Sequence, residues 1–382
     1  MVSSLFRSTI DVRNCNASSQ VFHHLSKRRY IVRMRLPRAS KIIRFLLVLV
    51  VVYACFLTWR QASYERSLAA SSITFDDFPP NYAKALKSAQ LENTNPTYPW
   101  PPLPSPAPNA QTTIPPIIHF IWFRDLYHEH LDISEIPHVG SHAPDACREH
   151  NPSYEVIVWN ATAARALMEE HYAWLLPTYD GYRYPIQQVD AFKYVLLWHY
   201  GGVYMDMDIA CRRELDPLLP FSAWYPKASP FGVNNDLMAS RARHPFVDSM
   251  LHQLAPRNRN LIFPYLTIFW STGPQFTSDM LSNWFWHQRG PSYTPGTRKT
   301  DYDMDMVYVL PQEFYSEKYT FFGHSPGGTW HGQDVAVVLW LVDNPWVFAL
   351  TAVVCSLALA GFLALRRRSR KGETRRLEVR DA

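Results

Sequence analysis

Two aspartates one residue apart, Asp206 and Asp208, are the side chains of this sequence best suited to chemistry. Carboxylates at positions i and i+2 on irregular backbone can both turn toward one hard divalent cation, and oxygen ligands suit Mg²⁺ or Mn²⁺. The sequence holds two more Asp-x-Asp triplets, at 301–303 and 303–305. Those two follow a loop-like stretch, with no regular element leading into them, so we interpret them as surface charge.

The residues before Asp206 supply the elements that must position it. Pro185 suits a first helical turn, and apolar residues recur at helical spacing after it. Gly201 and Gly202 predict the end of that helix, and residues 203–205 form a short β-prone run. The carboxylates therefore fall at the C-terminal edge of a strand, where open α/β sheets bind ligands. A divalent cation held there offsets the charge that develops on a departing diphosphate.

The predicted fold class is α/β, with a mostly parallel, Rossmann-like sheet. Residues 117–122 form a dense apolar run typical of a buried strand, and 151–159 contain a second strand candidate after an Asn-Pro turn. A helix candidate follows at 161–176. Strands that alternate with helices favour a parallel sheet with helices on its faces.

Charge and hydropathy divide the chain into six segments. Residues 1–44 carry ten Lys and Arg against one acidic residue, and residues 366–382 carry eight against three. Each basic tail adjoins an apolar run, and the second run is long enough for a hydrocarbon core. We predict these segments: a basic tail at 1–41, a signal-anchor span at 42–60, a Pro-rich stem at 61–114, the α/β domain at 115–343, a second span at 344–365 and a basic tail at 366–382.

The basic residues also predict the topology. Positive residues near a span remain on the cytoplasmic side, and both predicted spans carry theirs on the outer flank. We therefore expect both termini to be cytoplasmic and the residues between the spans to lie in the lumen of the secretory pathway. Because topology and anionic lipids explain the basic tails, nucleic acid is not an expected partner.

The predicted lumenal part has four further features. Eleven prolines between Pro79 and Pro116 favour an extended spacer. Cys147 and Cys211 are either a disulfide or two reduced core residues, and a glycosylation sequon begins at Asn160. The apolar segment 261–270 is too short to cross a bilayer, so it is either a core element or a surface element in the lipid interface.

Six sequence blocks in order resemble glycosyltransferase family 32, and within it the fungal inositol phosphoceramide mannosyltransferases. The blocks are IIHFIW, NPSYEVIVW, VDAFKYVLLWHYGGVYMDMD, GVNNDLMAS, STGP and GTWH. The resemblance implies a GT-A fold and transfer of mannose from GDP-mannose to inositol phosphoceramide, with retention of configuration. It also implies Mn²⁺ as the cofactor, with Mg²⁺ as an alternative, and a Golgi or ER/Golgi membrane as the location.

The same resemblance implies roles for individual residues. Asp206 and Asp208 match the motif that holds the metal and the diphosphate, and His331 matches a late histidine expected to complete the metal shell or to contact the diphosphate. These three are the predicted catalytic and metal-binding residues. Asp190 matches an acid expected on the donor sugar or ribose. Lys193 stands where many members have Arg, which keeps the positive charge but loses the bidentate geometry.

Three further residues receive roles in binding the substrates. Trp122 lies in the block expected near the nucleobase, so the predicted nucleotide-sugar site comprises Trp122, Asp190, Lys193 and Asp206. Asn235 and Asp236 are candidates for contacts with the acceptor. We also hypothesise that the segment 261–270 helps to seat the ceramide.

Two alternative functions remain open at this point. The same fold could act on protein-linked glycans as an α-1,6-mannosyltransferase, for which one membrane anchor suffices. A non-catalytic regulatory or scaffold membrane subunit is the other alternative, and the intact Asp206, Asp208 and His331 disfavour it. The expected partners are GDP-mannose, the inositol phosphoceramide lipid, the membrane and a possible regulatory membrane subunit.

Overall fold

The computed structural model of the protein describes residues 39–92, 112–123, 142–287, 304–315, 321–324 and 333–344, together with 347, 351, 361, 362 and 366. It forms two compact units, and Trp59 begins the larger one. The helices are α1 (Ala39–Ala70), α2 (Pro80–Glu92), α3 (Ala143–His150), α4 (Ala161–His171), α5 (Leu176–Asp180), α6 (Pro185–His199), α7 (Pro245–Arg257), α8 (Pro264–Ser271), α9 (Pro274–His287), α10 (Gln312–Tyr315) and α11 (Gln333–Asp343). The strands are β1 (Ile117–Ile121), β2 (Glu155–Trp159), β3 (Gly202–Met205), β4 (Ile209–Cys211), β5 (Ala223–Pro226), β6 (Leu237–Ser240), β7 (Tyr308–Leu310) and β8 (Phe322–His324).

Six of these strands form one mixed sheet in the order β2-β1-β3-β6-β5-β7. β1 is parallel to both β2 and β3, and β5 is parallel to β7. Only β6 runs the other way, antiparallel to its neighbours β3 and β5. The prediction of an α/β fold with a mostly parallel sheet is therefore confirmed. β4 and β8 form a separate antiparallel pair.

The predicted sequence of helix, glycine stop and strand is present as α6, Gly201-Gly202 and β3. Pro185 is the first residue of α6, where its missing N–H costs nothing. Gly201 and Gly202 have φ values of 69° and 97°, which side chains with a Cβ rarely adopt. A Cβ on Gly202 would also lie 2.5 Å from the Ile117 carbonyl oxygen, so the close approach of β1 and β3 requires glycine there.

His119 on β1 stabilises this junction through two hydrogen bonds of its ring. The ring is buried, and burial lowers the pKa of His119 to about 4, so the imidazole is neutral at physiological pH. Trp159 Nε1 donates to Nδ1 at 3.2 Å, which leaves Nε2–H to donate to the Gly201 carbonyl at 2.9 Å. A histidine in an apolar strand is here a structural bond between β1, β2 and the start of β3.

The residues predicted as a Pro-rich stem differ from that prediction. Residues 61–92 contain the end of α1 and all of α2, and their apolar side chains are buried against the sheet domain. Ile73 N–H donates to the Val309 carbonyl, and Val309 N–H donates to the Ser71 carbonyl. An extended spacer is therefore excluded for 61–92, while residues 93–111 lie outside the described residues.

The structure describes the two predicted membrane spans to different extents. In the part of the chain that the structure describes, no helix is both long enough and apolar enough to count as a membrane span. The first predicted span, 42–60, lies within α1, and the large apolar side chains described there, Phe45, residues 48–53, Phe56 and Leu57, are exposed. The second, 344–365, falls mostly outside the described residues, as do both basic tails apart from a few positions.

Cys147 and Cys211 form a disulfide, which resolves the alternative left open by the sequence. Cys147 lies on α3 and Cys211 is the last residue of β4. The bond therefore fastens β4, which begins directly after Asp208, to a helix 64 residues earlier in the chain. Disulfides persist in oxidising compartments, so this pairing agrees with the predicted lumenal environment.

Breaking the disulfide should destabilise the domain. Closing a loop of 64 residues restricts the unfolded chain by about 4 kcal/mol. We expect the double substitution Cys147→Ser and Cys211→Ser to lower the midpoint of unfolding measured by circular dichroism. Cys55→Ser, at an exposed free cysteine, is the matched control and should leave the midpoint unchanged. Identical unfolding curves for the double variant and the wild type would contradict the role assigned to the disulfide.

Candidate active site

The topology of the sheet brings two acidic segments to one edge. β3 ends at Met205, and because β6 is antiparallel to it, Met205 pairs with Leu237, the first residue of β6. Asp206 and Asp236 are therefore neighbours, and Asp206 N–H donates to the Asp236 carbonyl at 2.7 Å. Parallel strands alone would have placed residues 234–236 at the opposite edge.

A buried ammonium group lies beneath this edge. Asp190 and Lys193 are one turn apart on α6, and Lys193 Nζ is 3.0 Å from Asp190 Oδ1 and 2.9 Å from Asp206 Oδ1. The Lys193 and Asp190 side chains are only 4% and 6% exposed. Nζ also donates to the Asn235 carbonyl at 3.4 Å and lies 5.0 Å from the centre of the Tyr204 ring. One cation thus joins α6, β3 and the segment before β6.

The pKa values in this cluster follow from burial and charge. Burial opposes the charged ammonium, but Asp206, Tyr204 and Asp190 outweigh it and raise the pKa of Lys193 well above its ordinary value. Burial also raises the pKa of Asp190, while the ammonium of Lys193 counters that rise. We therefore treat Lys193 as permanently charged, with Asp190 and Asp206 as its counter-ions.

Asp206 is held in one orientation by two donors. Tyr204 Oη donates to Asp206 Oδ1 at 2.6 Å, and Lys193 Nζ donates to the same oxygen. The carboxylate is 34% exposed, whereas its two partners are buried. The inner oxygen is therefore committed to the protein, and the group faces the sheet edge with an orientation set in advance.

Asp208 lies on the turn that links β3 to β4. Ile209 N–H donates to the Asp206 carbonyl at 3.0 Å, which closes the turn, and β4 is fixed by its pairing with β8 and by the disulfide. Burial, reinforced by the negative charge of Asp206, raises the pKa of Asp208 to about 6. The two carboxylates of the triplet are thus close enough to repel each other.

Asp236 adds a third acidic group. Tyr315 Oη and Asn234 Nδ2 both donate to Asp236 Oδ2. Burial first, and then the charge of Asp206, raise the pKa of Asp236 to about 7. Its other oxygen, Oδ1, is buried and lacks a hydrogen-bond partner among the described residues. A buried acceptor left without a donor is costly, so this oxygen is ready to receive a ligand group.

Asn235, a predicted candidate for contacts with the acceptor, points toward Asp190 and Thr272. Its Nδ2 donates to Asp190 Oδ1 at 3.1 Å and lies 3.4 Å from the Thr272 carbonyl. Thr272 Oγ1 in turn donates to Asp190 Oδ2 at 3.1 Å. Asn235 is buried, so it positions Asp190 rather than presenting a free amide.

The structure brings together six of the residues named from the sequence: Asp190, Lys193, Asp206, Asp208, Asn235 and Asp236. Trp122 directly follows β1, and its backbone N–H donates to the Trp159 carbonyl at 2.8 Å. His331 lies outside the described residues. Tyr204, Thr272 and Tyr315 contact this group of six residues but are not among the predicted site residues. Thr272 had a signal, because it lies in the quoted STGP block, whereas Tyr315 had none.

The electrostatics favour a cationic ligand. Lys193 contacts Asp190 and Asp206, while Asp208 and Asp236 add two more acidic groups at the sheet edge, so acidic groups outnumber the ammonium group. Within the described ranges, no group of three or more His, Cys, Asp or Glu is arranged to hold a metal by itself. Asp206 and Asp208 would have to share a cation with ligands from elsewhere, which is the usual arrangement for Mg²⁺ and Mn²⁺ beside substrate phosphates.

Comparison with known proteins agrees with this geometry. A family model described as a glycosyltransferase sugar-binding region containing a DXD motif matches residues 137–224, which include α6 and Asp206-Met207-Asp208. Inositol phosphoceramide mannosyltransferase 1 of Schizosaccharomyces pombe is 32% identical over 274 residues, which cover 70% of this chain and 78% of the relative.

Two further fungal relatives match in the same way. Inositol phosphoceramide mannosyltransferase 3 of the same yeast is 32% identical and covers 63% of this chain and 62% of its own. Mannosyl phosphorylinositol ceramide synthase SUR1 of Saccharomyces cerevisiae is 36% identical and covers 61% of this chain and 56% of its own. For these two, the chain spans less than two thirds of the relative.

Removing the buried ammonium should destabilise the protein. In Lys193→Met, Asp190 would be left as a buried carboxylate without a counter-ion, and breaking such a pair costs about 3–5 kcal/mol. The double variant Asp190→Asn with Lys193→Met should recover most of that loss, because the uncompensated charge is gone. Chemical denaturation of the three proteins measures both effects. Equal stability of Lys193→Met and wild type would refute the bridging role.

Proposed function

Because the chain belongs to the inositol phosphoceramide mannosyltransferase family, we propose that it transfers mannose from GDP-mannose to the inositol of inositol phosphoceramide, with retention of anomeric configuration. One structural observation carries this proposal. The Asp206-Met207-Asp208 turn lies at the C-terminal edge of β3, held by a buried Lys193, in a chain that is 32% identical over 78% of a relative of that name.

The acidic residues fit a divalent cation, for which we propose Mn²⁺ or Mg²⁺. Asp206 and Asp208 would hold the ion, and His331 would add an imidazole ligand. Their fit rests on hard oxygen ligands, on the local excess of negative charge and on the unpartnered Asp236 Oδ1 nearby. When bound, such an ion supplies Lewis-acid stabilisation to the departing diphosphate.

The protein's own residues set up the transfer. Tyr204 and Lys193 keep Asp206 in one orientation, so no reorganisation is needed when the diphosphate departs. Asp190 is held by Lys193, Thr272 and Asn235, and in the proposed reaction it would accept a hydrogen bond from a donor hydroxyl. The bond from the anomeric carbon to the phosphate oxygen breaks as an inositol oxygen attacks from the same face. The hydroxyl proton passes to the departing phosphate oxygen.

We propose further that the enzyme resides in a Golgi membrane, with its catalytic domain in the lumen and both termini in the cytoplasm. The disulfide Cys147–Cys211 supports an oxidising compartment. The exposed apolar side chains between Phe45 and Leu57 support a signal anchor at 42–60. A second span at 344–365 would hold the domain at the bilayer that contains its lipid acceptor.

The metal-site assignment predicts loss of transfer in Asp208→Asn. This change keeps the shape of the side chain but removes a charged ligand, so we expect mannose transfer to inositol phosphoceramide to fall about 100-fold or more. The matched control is Asp305→Asn, from another Asp-x-Asp triplet, whose exposed carboxylate binds Arg241. The assay uses detergent-solubilised protein, radiolabelled GDP-mannose and Mn²⁺.

The outcomes of that assay separate the alternatives. Equal loss in both variants would show that the effect is not specific to the site. A folded wild-type protein that hydrolyses the donor without transferring to the lipid would favour another acceptor, such as a protein-linked glycan, or a missing regulatory subunit. A folded protein that does neither would favour a scaffold.

The proposed lumenal location predicts a glycan on Asn160. Asn160 is exposed, and its Oδ1 caps α4 by accepting from Ala163 N–H at 2.8 Å. We expect endoglycosidase treatment to shift the wild-type protein on a gel, and Thr162→Ala to abolish that shift while keeping the cap. Asn160→Asp should also lose the glycan yet retain the capping oxygen. A protein without glycan in all three forms would argue against lumenal exposure of this site.

A further inference from the structure

A second surface lies next to the site and has no part in the proposed chemistry. Its apolar side chains are exposed: Ile262 is 92% exposed, Trp270 41% and Trp340 52%, with Leu261 and Val337 beside them in sequence. These five residues, on the segment that contains α8 and on α11, are called the α8–α11 face. Large exposed apolar residues grouped in this way mark an interaction site.

A hydrogen bond joins the two parts of the face. Tyr265 N–H, in the first turn of α8, donates to Asp334 Oδ2 on α11 at 2.8 Å. The Tyr265 and Phe269 rings stack with their centres 5.5 Å apart. The other side of α8 is buried through Thr267, Ile268 and Ser271. The segment 261–270 is therefore anchored in the core on one side and presents an apolar surface on the other. It combines features of the core element and of the surface element that were the two alternatives from the sequence.

The face is directly connected to the donor-side network. Ser271, the last residue of α8, accepts from Gln187 Nε2 at 2.7 Å, and the next residue, Thr272, donates to Asp190. Exposed Trp270 is only two residues before Thr272, so their Cα atoms are at most about 7 Å apart. A partner that covers Trp270 therefore lies close to Thr272, which donates to Asp190, the carboxylate proposed to bind the sugar.

We propose that the α8–α11 face docks onto the lipid bilayer and presents the polar edge of the site to the headgroup of the acceptor lipid. This inference rests on the proposed function, because it assigns a place to the lipid acceptor of that reaction. The polar layer of a leaflet is about 5–8 Å thick. The Cα atoms of Trp270 and Thr272 are at most about 7 Å apart, which does not exceed that thickness, so an inositol headgroup would be reached without lifting the lipid out of the membrane.

The chemistry of the face fits a membrane better than a protein partner. Tryptophans at its margins are the residues that favour the membrane–water interface. Arg259, exposed and two residues before Leu261, suits anionic headgroups. α11 ends at Asp343, directly before the predicted span 344–365, so the chain leads from the face toward the bilayer. Trp270 lies on α8, a surface helix that is anchored on its buried side, which is typical of interfacial helices.

The test compares two acceptors in the full-length enzyme reconstituted into vesicles. The variant is Leu261→Asp with Ile262→Asp, and the matched control is Trp174→Asp, which charges an exposed aromatic position (52%) before α5. We expect transfer to long-chain inositol phosphoceramide in the bilayer to fall at least about tenfold in the variant. Transfer to a water-soluble short-chain analogue should stay within about twofold of wild type, and the control should be unchanged with both acceptors.

The contrary outcomes are distinct. Unchanged transfer to the bilayer acceptor would overturn docking while leaving the proposed function intact, whereas equal loss with both acceptors would show that the face supports the fold instead. A wild-type enzyme that uses neither acceptor would overturn the proposed function itself. An activity-independent readout uses a solvent-sensitive dye on Ile262→Cys, with Cys15, Cys55 and Cys355 replaced by Ser.

For that dye we expect a blue shift in pure lipid vesicles, and no shift for the same dye on Trp174→Cys. A shift that occurs only when a second protein is added would assign the face to a protein partner and overturn the lipid proposal.

Discussion

The ammonium group of Lys193 is the interaction on which the rest of the site depends. It lies between Asp190 and Asp206, at 3.0 and 2.9 Å, with almost no exposure to water. Water is almost excluded from Lys193 and Asp190, so these two groups must remain paired, whereas Asp206 reaches from them to the exposed edge of the sheet. Through Lys193 the position of α6 determines the orientation of the Asp206 carboxylate. A guanidinium would be larger and would demand planar, bidentate partners, whereas an ammonium fits a pocket formed by two carboxylates and a carbonyl.

The reversed strand β6 is the second constraint. Five strands of the main sheet run in one direction, and their C-terminal ends provide one edge for ligands. β6 alone enters the sheet from that edge, so the residues before it, Asn235 and Asp236, reach Asp206 and Lys193. Reversal of one strand therefore doubles the polar segments available at the site without a longer loop. This arrangement also buries Asp236 Oδ1 at the edge, where none of the described residues donates a hydrogen bond to it.

Local patterns were sufficient to predict the centre of the fold and the acidic turn. Proline, apolar spacing, two glycines and a β-prone run specify α6, the stop and β3, because each depends on neighbours within a few residues. Contacts between distant residues were not predictable in this way. Nothing near Tyr315 indicates that its hydroxyl reaches Asp236, 79 residues earlier. The same limit applies to residues 61–92, which belong to the predicted stem. The prolines of the stem are a local feature of the sequence, but the burial of Tyr64, Leu68 and Tyr82 depends on surfaces formed elsewhere in the chain.

The three carboxylates at the sheet edge are each held in place by neighbouring groups, so their negative charges remain close together. Asp206 is held by Lys193 and Tyr204, Asp208 by a turn whose far end is fastened by a disulfide, and Asp236 by Tyr315. The three carboxylates cannot rotate apart to relieve their repulsion, and Lys193 is already shared with Asp190. The compensating positive charge must therefore arrive with the ligands. In the proposed function, the diphosphate of the donor would bring further negative charge, so the donor would bind well only together with a cation, and cation binding would be coupled to donor binding. The arrangement that holds the carboxylates close together would thereby favour a metal-bound nucleotide over either ligand alone.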